Sequence, residues 1–492
     1  MIQSLRVTRR VIASLLMLLT FAGLQFYAQA NLAQTSASST TRELTVLYTN
    51  DEHGWMVGRE AGKGAADLMG LWREREGYTE DGAFLILSGG DNWTGPAIST
   101  WFEGASMVEL MNAMDYDASA VGNHEFDFGT EVLRQRASEA NYPYLSANTR
   151  RKTDGNVPTD LGILPHTIIE TNDLRVGLVG LTTTRTPAAT KPENVVDFNF
   201  IDYERALRET IPQVKAADID LLMVISHVCM RELDVLVTRV VDLGIQLMGG
   251  GHCNELVAKQ IDDTVVLGGG FHFTAYAKAT FKYDTVSESI VDVVYAAVDN
   301  VAGTADETIE NLVARWQQQT TAQLDSLVGY SAKEYSRILP ALQEAVVNSW
   351  LWANPTADFA LNNALGQRQF LPEGELRLAD LIGFMPFDNT LYAVNLTGGE
   401  LMEVIEDGQR PIVGGIREQG DGWIVTKTGE PLMLDTSYRV IVNSFQYAGG
   451  SGYGAIREYD PEGFDTGVQY RQPFVDWIRS LSTSAQNPLT IP

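Results

Sequence analysis

A chain of 492 residues is too long for one ordinary core, so two domains are expected, and 45% hydrophobic with 20% charged residues is the composition of a soluble globular protein. A formal net charge of −27 repels nucleic-acid backbones and argues against a nucleic-acid partner. It also obliges any site for a small anion to bring its own positive charge, from metal or arginine.

The first thirty residues carry Arg6, Arg9 and Arg10, then a long apolar run, then Ala28-Gln29-Ala30. That is the layout of a secretory signal with an A-x-A cleavage site, which predicts a periplasmic or secreted protein without a stable membrane anchor. The apolar stretch approaches membrane-spanning length, so an uncleaved anchor is the rival. The small-residue site and the polar "NLAQTSASSTT" after it favour cleavage, and the absence of cysteine there excludes a lipid anchor on cysteine.

From 31 to about 302, apolar runs recur: "LTVLYT", "AFLILS", "RVGLVGL", "DLLMVIS", "GIQLMG" and "TVVLGG". Each ends in glycine or a polar cluster, as buried strands feeding loops do. Helix-like stretches such as "GASMVELMNAM" and "RELDVLVTRVVDLG" lie between several of them, which predicts sheets sandwiched by helices. Residues 303–330 have helical spacing with an acidic first turn and read as a linking helix. The texture then changes, and 331–492 read as a separate α+β domain.

The chemistry sits at the strand ends. "LTVLYTND" runs into Asp51 and His53, and "AFLILSGGD" ends in Asp91. "AVGNHEFDFG" supplies Asn123 and His124; "LLMVISH" ends in His227, and "IQLMGGGH" in His252, with Asn254 two residues on. Four of only six histidines fall at such ends, where loops at a sheet rim converge on one pocket. Histidine, carboxylate and amide oxygen suit Zn, Mn, Fe or Co rather than a thiolate site. Seven of these groups already exceed what one tetrahedral zinc requires and fill two adjacent sites if one aspartate bridges. Two metals so placed clamp a phosphoryl group and hold a nucleophilic hydroxide. His166 and His272 lack such company and read as structural.

"TNDEHG", "GGDNWTG", "GNHEFDFG", "SHV" and "GGH", in this order, resemble the calcineurin-like metallophosphoesterases, and within them the secreted 5'-nucleotidase family with its UDP-sugar hydrolases and cyclic-nucleotide phosphodiesterases. The resemblance implies a layered α/β/β/α sandwich followed by an α+β nucleotide-binding-type domain. It implies one divalent ion on Asp51, His53, Asp91 and Asn254, and a second on Asp91, Asn123, His227 and His252. His124 is then a catalytic group over the phosphate, oriented by Asp127, while Glu125 is left structural. If His227 and His252 share a metal, Cys229 and Cys253 lie near one another, either as a disulfide bracing the loops or as a redox-sensitive spot.

In the second half, "LNNALGQR" ending in Arg368 and "NSFQYAGGSGYG" resemble the family's substrate-binding stretches. Arg368 offers a guanidinium to an anionic or sugar group, and Phe445 a face for stacking on a base. Ser451 stands where that family usually has aspartate. The second base-clamping aromatic is missing before Gly414-Gly415-Ile416, with Tyr447, Tyr453 and Trp423 as possible substitutes. The resemblance implies hydrolysis of nucleoside 5'-monophosphates or related nucleotides, a small-molecule partner, and a rotation of one domain about the linking helix. A thiosulfohydrolase acting on a protein-carried sulfur group, and a non-catalytic exported binding protein, are the alternatives. Oligomeric state is not legible.

Overall fold

The structure is a computed structural model that describes residues 40–492 apart from 61, 302, 410 and 421. The expected leader, 1–30, lies outside the described residues. The chain divides into a small unit, whose described part is residues 40–42 and Lys282–Asp292, and a large unit of Glu43–Phe281 with Val293–Pro492. In the small unit Thr40 O accepts from both N and Oγ1 of Thr285. The cores, the site and its cavity lie in the large unit.

The apolar runs form strands buried on both faces, and most of these pair in parallel, as unalternated Val/Ile/Leu sequences should. One sheet has seven strands in the order Ser289–Asp299, Ala275–Asp284, Thr41–Thr49, Phe84–Ser88, Ala118–Ala120, Tyr144–Leu145, Ile163–Leu164. The other has six, in the order Leu256–Ile261, Thr264–Gly269, Leu247–Gly249, Leu221–His227, Leu174–Thr182, His166–Thr171. Strand Leu221–His227, buried throughout, pairs in parallel with both of its neighbours.

The two sheets stack face to face, and glycines set how closely. A Cβ on Gly249 would lie 2.2 Å from the Tyr48 ring, and one on Gly180 would lie 2.2 Å from the Leu145 backbone. Helices cover the outer faces. Leu68, Met107, Leu110 and Leu133 close one core, and Leu207, Ile211, Leu233 and Val237 the other. Helix Glu307–Leu324, capped by Asp306 accepting from Thr308 N and Ile309 N, belongs to the first layer through Ile309 and Val313. The linking stretch expected over 303–330 is thus helical over 307–324. From Leu327 it becomes a strand that pairs with Gly374–Arg377.

The second half is built on a five-stranded sheet in the order Pro411–Gly414, Phe359–Asn363, Ser437–Asn443, Thr390–Thr397, Phe464–Gln469. Helices Pro340–Ala353 and Gln472–Ser480 pack on one face through Val346, Trp350, Phe474 and Ile478. The α/β/β/α sandwich followed by an α+β part is the architecture expected from the sequence.

Candidate active site

Parallel strands all deliver their C-terminal ends to one rim, and the loops there carry the ligand-type residues. Asp51, His53, Asp91, His252 and Asn254 all have left-handed backbone, with φ of 55°, 46°, 60°, 70° and 59°. Side chains other than glycine rarely adopt this conformation and do so where surrounding structure imposes it. The imposition is visible. Asp51 N donates to Gly90 O at 2.9 Å, and His53 N donates to Asp91 O at 2.9 Å, tying the first loop to the second. Glu125 ties the second to the third: its carboxylate accepts from Asp91 N, Asn92 N and Gly122 N at 3.0, 2.7 and 2.6 Å. The sequence left Glu125 structural; it holds the loops that carry Asp91 and Asn123.

Asp91 is central. Its Oδ2 is 2.9 Å from His227 Nε2, 3.9 Å from His53 Nε2 and 3.9 Å from His124 Nε2. Asp51 Oδ1 is 3.7 Å from His53 Nε2, and His252 Nδ1 is 3.2 Å from His227 Nε2. Two groups of possible ligand atoms share this aspartate: His53, Asp91 and His124, and Asp91, His227 and His252.

The donor set fits cations. His227 Nδ1 donates to Gly89 O at 2.8 Å and His53 Nδ1 to Thr94 O at 3.1 Å, which leaves both Nε2 atoms aimed at Asp91. Asn123 is 1% exposed, and its Oδ1 is buried without a hydrogen-bond partner, while its Nδ2 donates to Ala189 O at 3.2 Å. A buried carbonyl oxygen left unpaired costs free energy that a cation recovers. Burial pushes the Asp91 carboxyl up, but His227, His124 and His53 beside it outweigh that and hold it well below the usual carboxylate range. Burial lowers His53, and burial with the neighbouring His227 lowers His252 to about 3, so both imidazoles are held neutral, the ligating form. Asn254 reaches the same cavity wall from an exposed loop.

His124 stands apart although it belongs by distance to one group. Its Nδ1 is 2.6 Å from Asp127 Oδ2, its backbone N donates to Asp91 Oδ1 at 2.8 Å, and its Nε2 meets Nη2 of Arg368. A guanidinium only donates, so in this arrangement Nδ1 carries the proton given to Asp127 and Nε2 presents its lone pair. Burial lowers the imidazole pKa, but Asp127 and Asp91 beside it outweigh burial and raise it above its ordinary value.

Arg368, Phe445 and Ser451 line the same cavity of about 590 Å³ as His53, Asp91, Asn123, His124 and His252. Of the expected substitutes for the second aromatic, Tyr447 stacks on Tyr392 at 4.4 Å and Tyr453 is fully buried; neither these nor Trp423 lines the cavity. The rings that do, besides Phe445, are Phe128 and Phe387, and Phe387 stacks on His124 at 5.7 Å. Arg185 and Arg337 also face the cavity. No strand-end pattern marks these residues, because they come from loops brought together only by the fold. His272 stacks on Trp55 at 4.8 Å, edge-on to His53 at 5.9 Å; His166 opens the edge strand His166–Thr171 and does not line the cavity. Cys229 and Cys253 are joined in a disulfide, Cα–Cα 5.1 Å, which settles the choice left open by the sequence.

The fold is that of solved 5'-nucleotidase structures, and the named relatives make the chain a hydrolytic phosphoesterase. Residues 301–458 match the family profile described as 5'-nucleotidase, C-terminal domain. A 5'-nucleotidase of Vibrio cholerae is 26% identical over 520 residues, covering 92% of this chain and 92% of that one. Among solved structures, a 5'-nucleotidase precursor from Thermus thermophilus superposes with a TM-score of 0.76 at 22% identity, over 90% of this chain and 97% of that one. A sulfate thiohydrolase from the same organism superposes with a TM-score of 0.69 at 17% identity, over 89% and 94%. The chain is thus homologous to these 5'-nucleotidases, and its residues 301–458 match their C-terminal domain.

Proposed function

We propose that this is an exported, dinuclear-metal phosphohydrolase that releases phosphate from nucleoside 5'-monophosphates or related nucleotides. The observation that carries the reading is the unpartnered Asn123 Oδ1 beside an Asp91-centred histidine cluster, in a cavity that Arg368 and Phe445 also line. Asp51, His53, Asp91 and Asn254 would hold one divalent ion, and Asp91, Asn123, His227 and His252 the other, drawn from Zn, Mn, Fe or Co. When bound, two such ions supply the positive charge that polarises phosphoryl oxygens and eases ionisation of water.

The chain's own groups do the remaining work. Once Arg368 turns to the substrate anion, His124, its pKa raised against burial by Asp127 and Asp91, takes up a proton at Nε2. This N–H faces the substrate phosphate, stabilises developing negative charge and gives its proton to the leaving oxygen. Asp127 keeps the other ring nitrogen as N–H and supports the imidazolium. Arg368 pairs with a substrate anion, Phe445 stacks on the base, and Ser451 lines the sugar end of the cavity. Residues 31–302 form the metal-binding domain and 331–492 the substrate domain, with a rotation between them about the 303–330 segment. Export rests on the leader at 1–30; among the described residues no helix is long and apolar enough to cross a membrane.

A thiosulfohydrolase on a protein-carried sulfur group remains the second reading, favoured by the absence of an aromatic before Gly414-Gly415 and by the likeness to the sulfate thiohydrolase. Phosphate release from AMP, UDP-glucose and bis(p-nitrophenyl) phosphate, after chelation and again with Mn²⁺ or Zn²⁺, separates them. Metal-dependent release fastest from AMP is expected. Turnover of the diester or nucleotide sugar alone keeps the metal site and reassigns the substrate. No turnover with metal bound favours the sulfur reading, and fewer than about two ions per chain would overturn the dinuclear reading.

A further inference from the structure

The segment from Thr186 to Asn194 separates the two halves of the site. Its short helix, Thr186–Ala189, packs against the turn Gly450–Gly452 that carries Ser451. From its other side it reaches the turn that carries Asn123, His124 and Asp127. Ala189 O accepts from Asn123 Nδ2 at 3.2 Å. Asn194 Nδ2 donates to Phe126 O at 2.8 Å and to Asp127 O at 2.9 Å. Thr190, 2% exposed, donates its hydroxyl to Asp127 Oδ1 at 2.8 Å.

The Asp127 carboxylate is therefore held at both oxygens: Oδ2 by His124 Nδ1 and Oδ1 by Thr190 Oγ1. A carboxylate's terminal torsion is broad and two-fold, so a single partner leaves it free to swing. A second, charge-assisted bond fixes its plane. We propose that Thr190 is a positioning residue for hydrolysis: its hydroxyl sets the plane of Asp127 and, through it, the direction of His124 Nε2. This rests on the reading of His124 as the catalytic group. Because Thr190 follows the helix seated on the Ser451 turn, the contact that brings the substrate half onto this segment also steadies the histidine.

The test is steady-state turnover of AMP, or of whichever ester the wild type hydrolyses, by metal-replete full-length Thr190→Val and Thr190→Ser. Valine keeps the shape and removes the hydroxyl; serine keeps the hydroxyl. Thr190→Val is expected to lower kcat about 10- to 100-fold, the scale of a misaligned catalytic group, with KM nearly unchanged and metal content intact. Thr190→Ser is expected to restore most of the loss. The low-field proton signal of the His124–Asp127 bond should move in the valine variant and return in the serine variant. An unchanged kcat in Thr190→Val, a loss that serine does not rescue, or a loss that follows metal content overturns the proposal. Should the valine variant not fold, Thr190→Ala takes its place with the same expectations. Wild-type kcat in His124→Ala would instead overturn the underlying assignment of His124. A slow His124→Ala beside an unaffected Thr190→Val would remove Thr190 alone.

Discussion

Asn123 and His124 are neighbours in the chain with opposite surroundings. The amide oxygen of Asn123 is buried with nothing to accept from, whereas both ring nitrogens of His124 are engaged, by Asp127 and by Arg368. Two different losses follow from removing them. His124→Ala should lower kcat by about 10²- to 10⁴-fold, the range for a general acid, while metal analysis still finds the wild-type content. Asn123→Ala should lower the metal content itself, and added Mn²⁺ should recover part of the activity. If both variants lost metal equally, the division of labour between them would be wrong.

The working elements are loops, and the elements proper hold them. Strand Leu221–His227 ends at a metal-type histidine, and two residues later Cys229 opens helix Met230–Arg239. Its disulfide to Cys253 spans 24 residues and pins the loop that carries His252 and Asn254 in left-handed backbone. The double variant Cys229→Ser/Cys253→Ser should lose roughly 2–4 kcal/mol in urea unfolding, as removal of such a loop closure does. The metal that depends on His252 should bind more weakly in a calorimetric titration. Unchanged affinity alongside lost stability would show that the bridge braces the fold and not the ligand loop.

At the scale of the whole molecule, the residues proposed to hold metal belong to one half and Arg368, proposed to meet the substrate, to the other, which separates their effects. Arg368→Ala should cost kcat/KM about 30-fold, near 2 kcal/mol for a hydrogen bond to a charged group, with metal content unchanged. Chelation should act on the half built from the two stacked sheets. Removing each ion held at about a hundred times its dissociation constant withdraws near 2.7 kcal/mol of native-state stability. A melting curve taken before and after chelation should therefore show a transition at lower temperature, restored by Mn²⁺. Under the proposed function a net charge of −27 would make the two cations consequential, since a dianionic nucleotide would approach an otherwise repelling surface.

Much was legible along the chain because buried parallel strands leave an unmistakable trace. Six apolar runs ending in glycine or polar clusters pointed to the sandwich, and the residue types after four of them, with Asn123 and His124 after the short run at 118–121, to the metal-type cluster. Other features depend on which loops the fold brings together. Glu125 reads as one more acid in a turn until three backbone N–H groups from two loops converge on it. Thr190 lies 63 residues from the carboxylate it bonds, and Phe387 reaches His124 from the other half of the chain. The missing aromatic was sought near Gly414 by sequence position, but Tyr447 and Tyr453 are buried in packing and the cavity takes Phe128 and Phe387 instead. Periodicity records only burial and spacing along one element; contacts between elements far apart in sequence come into being with the tertiary structure, which alone decides which polar groups meet.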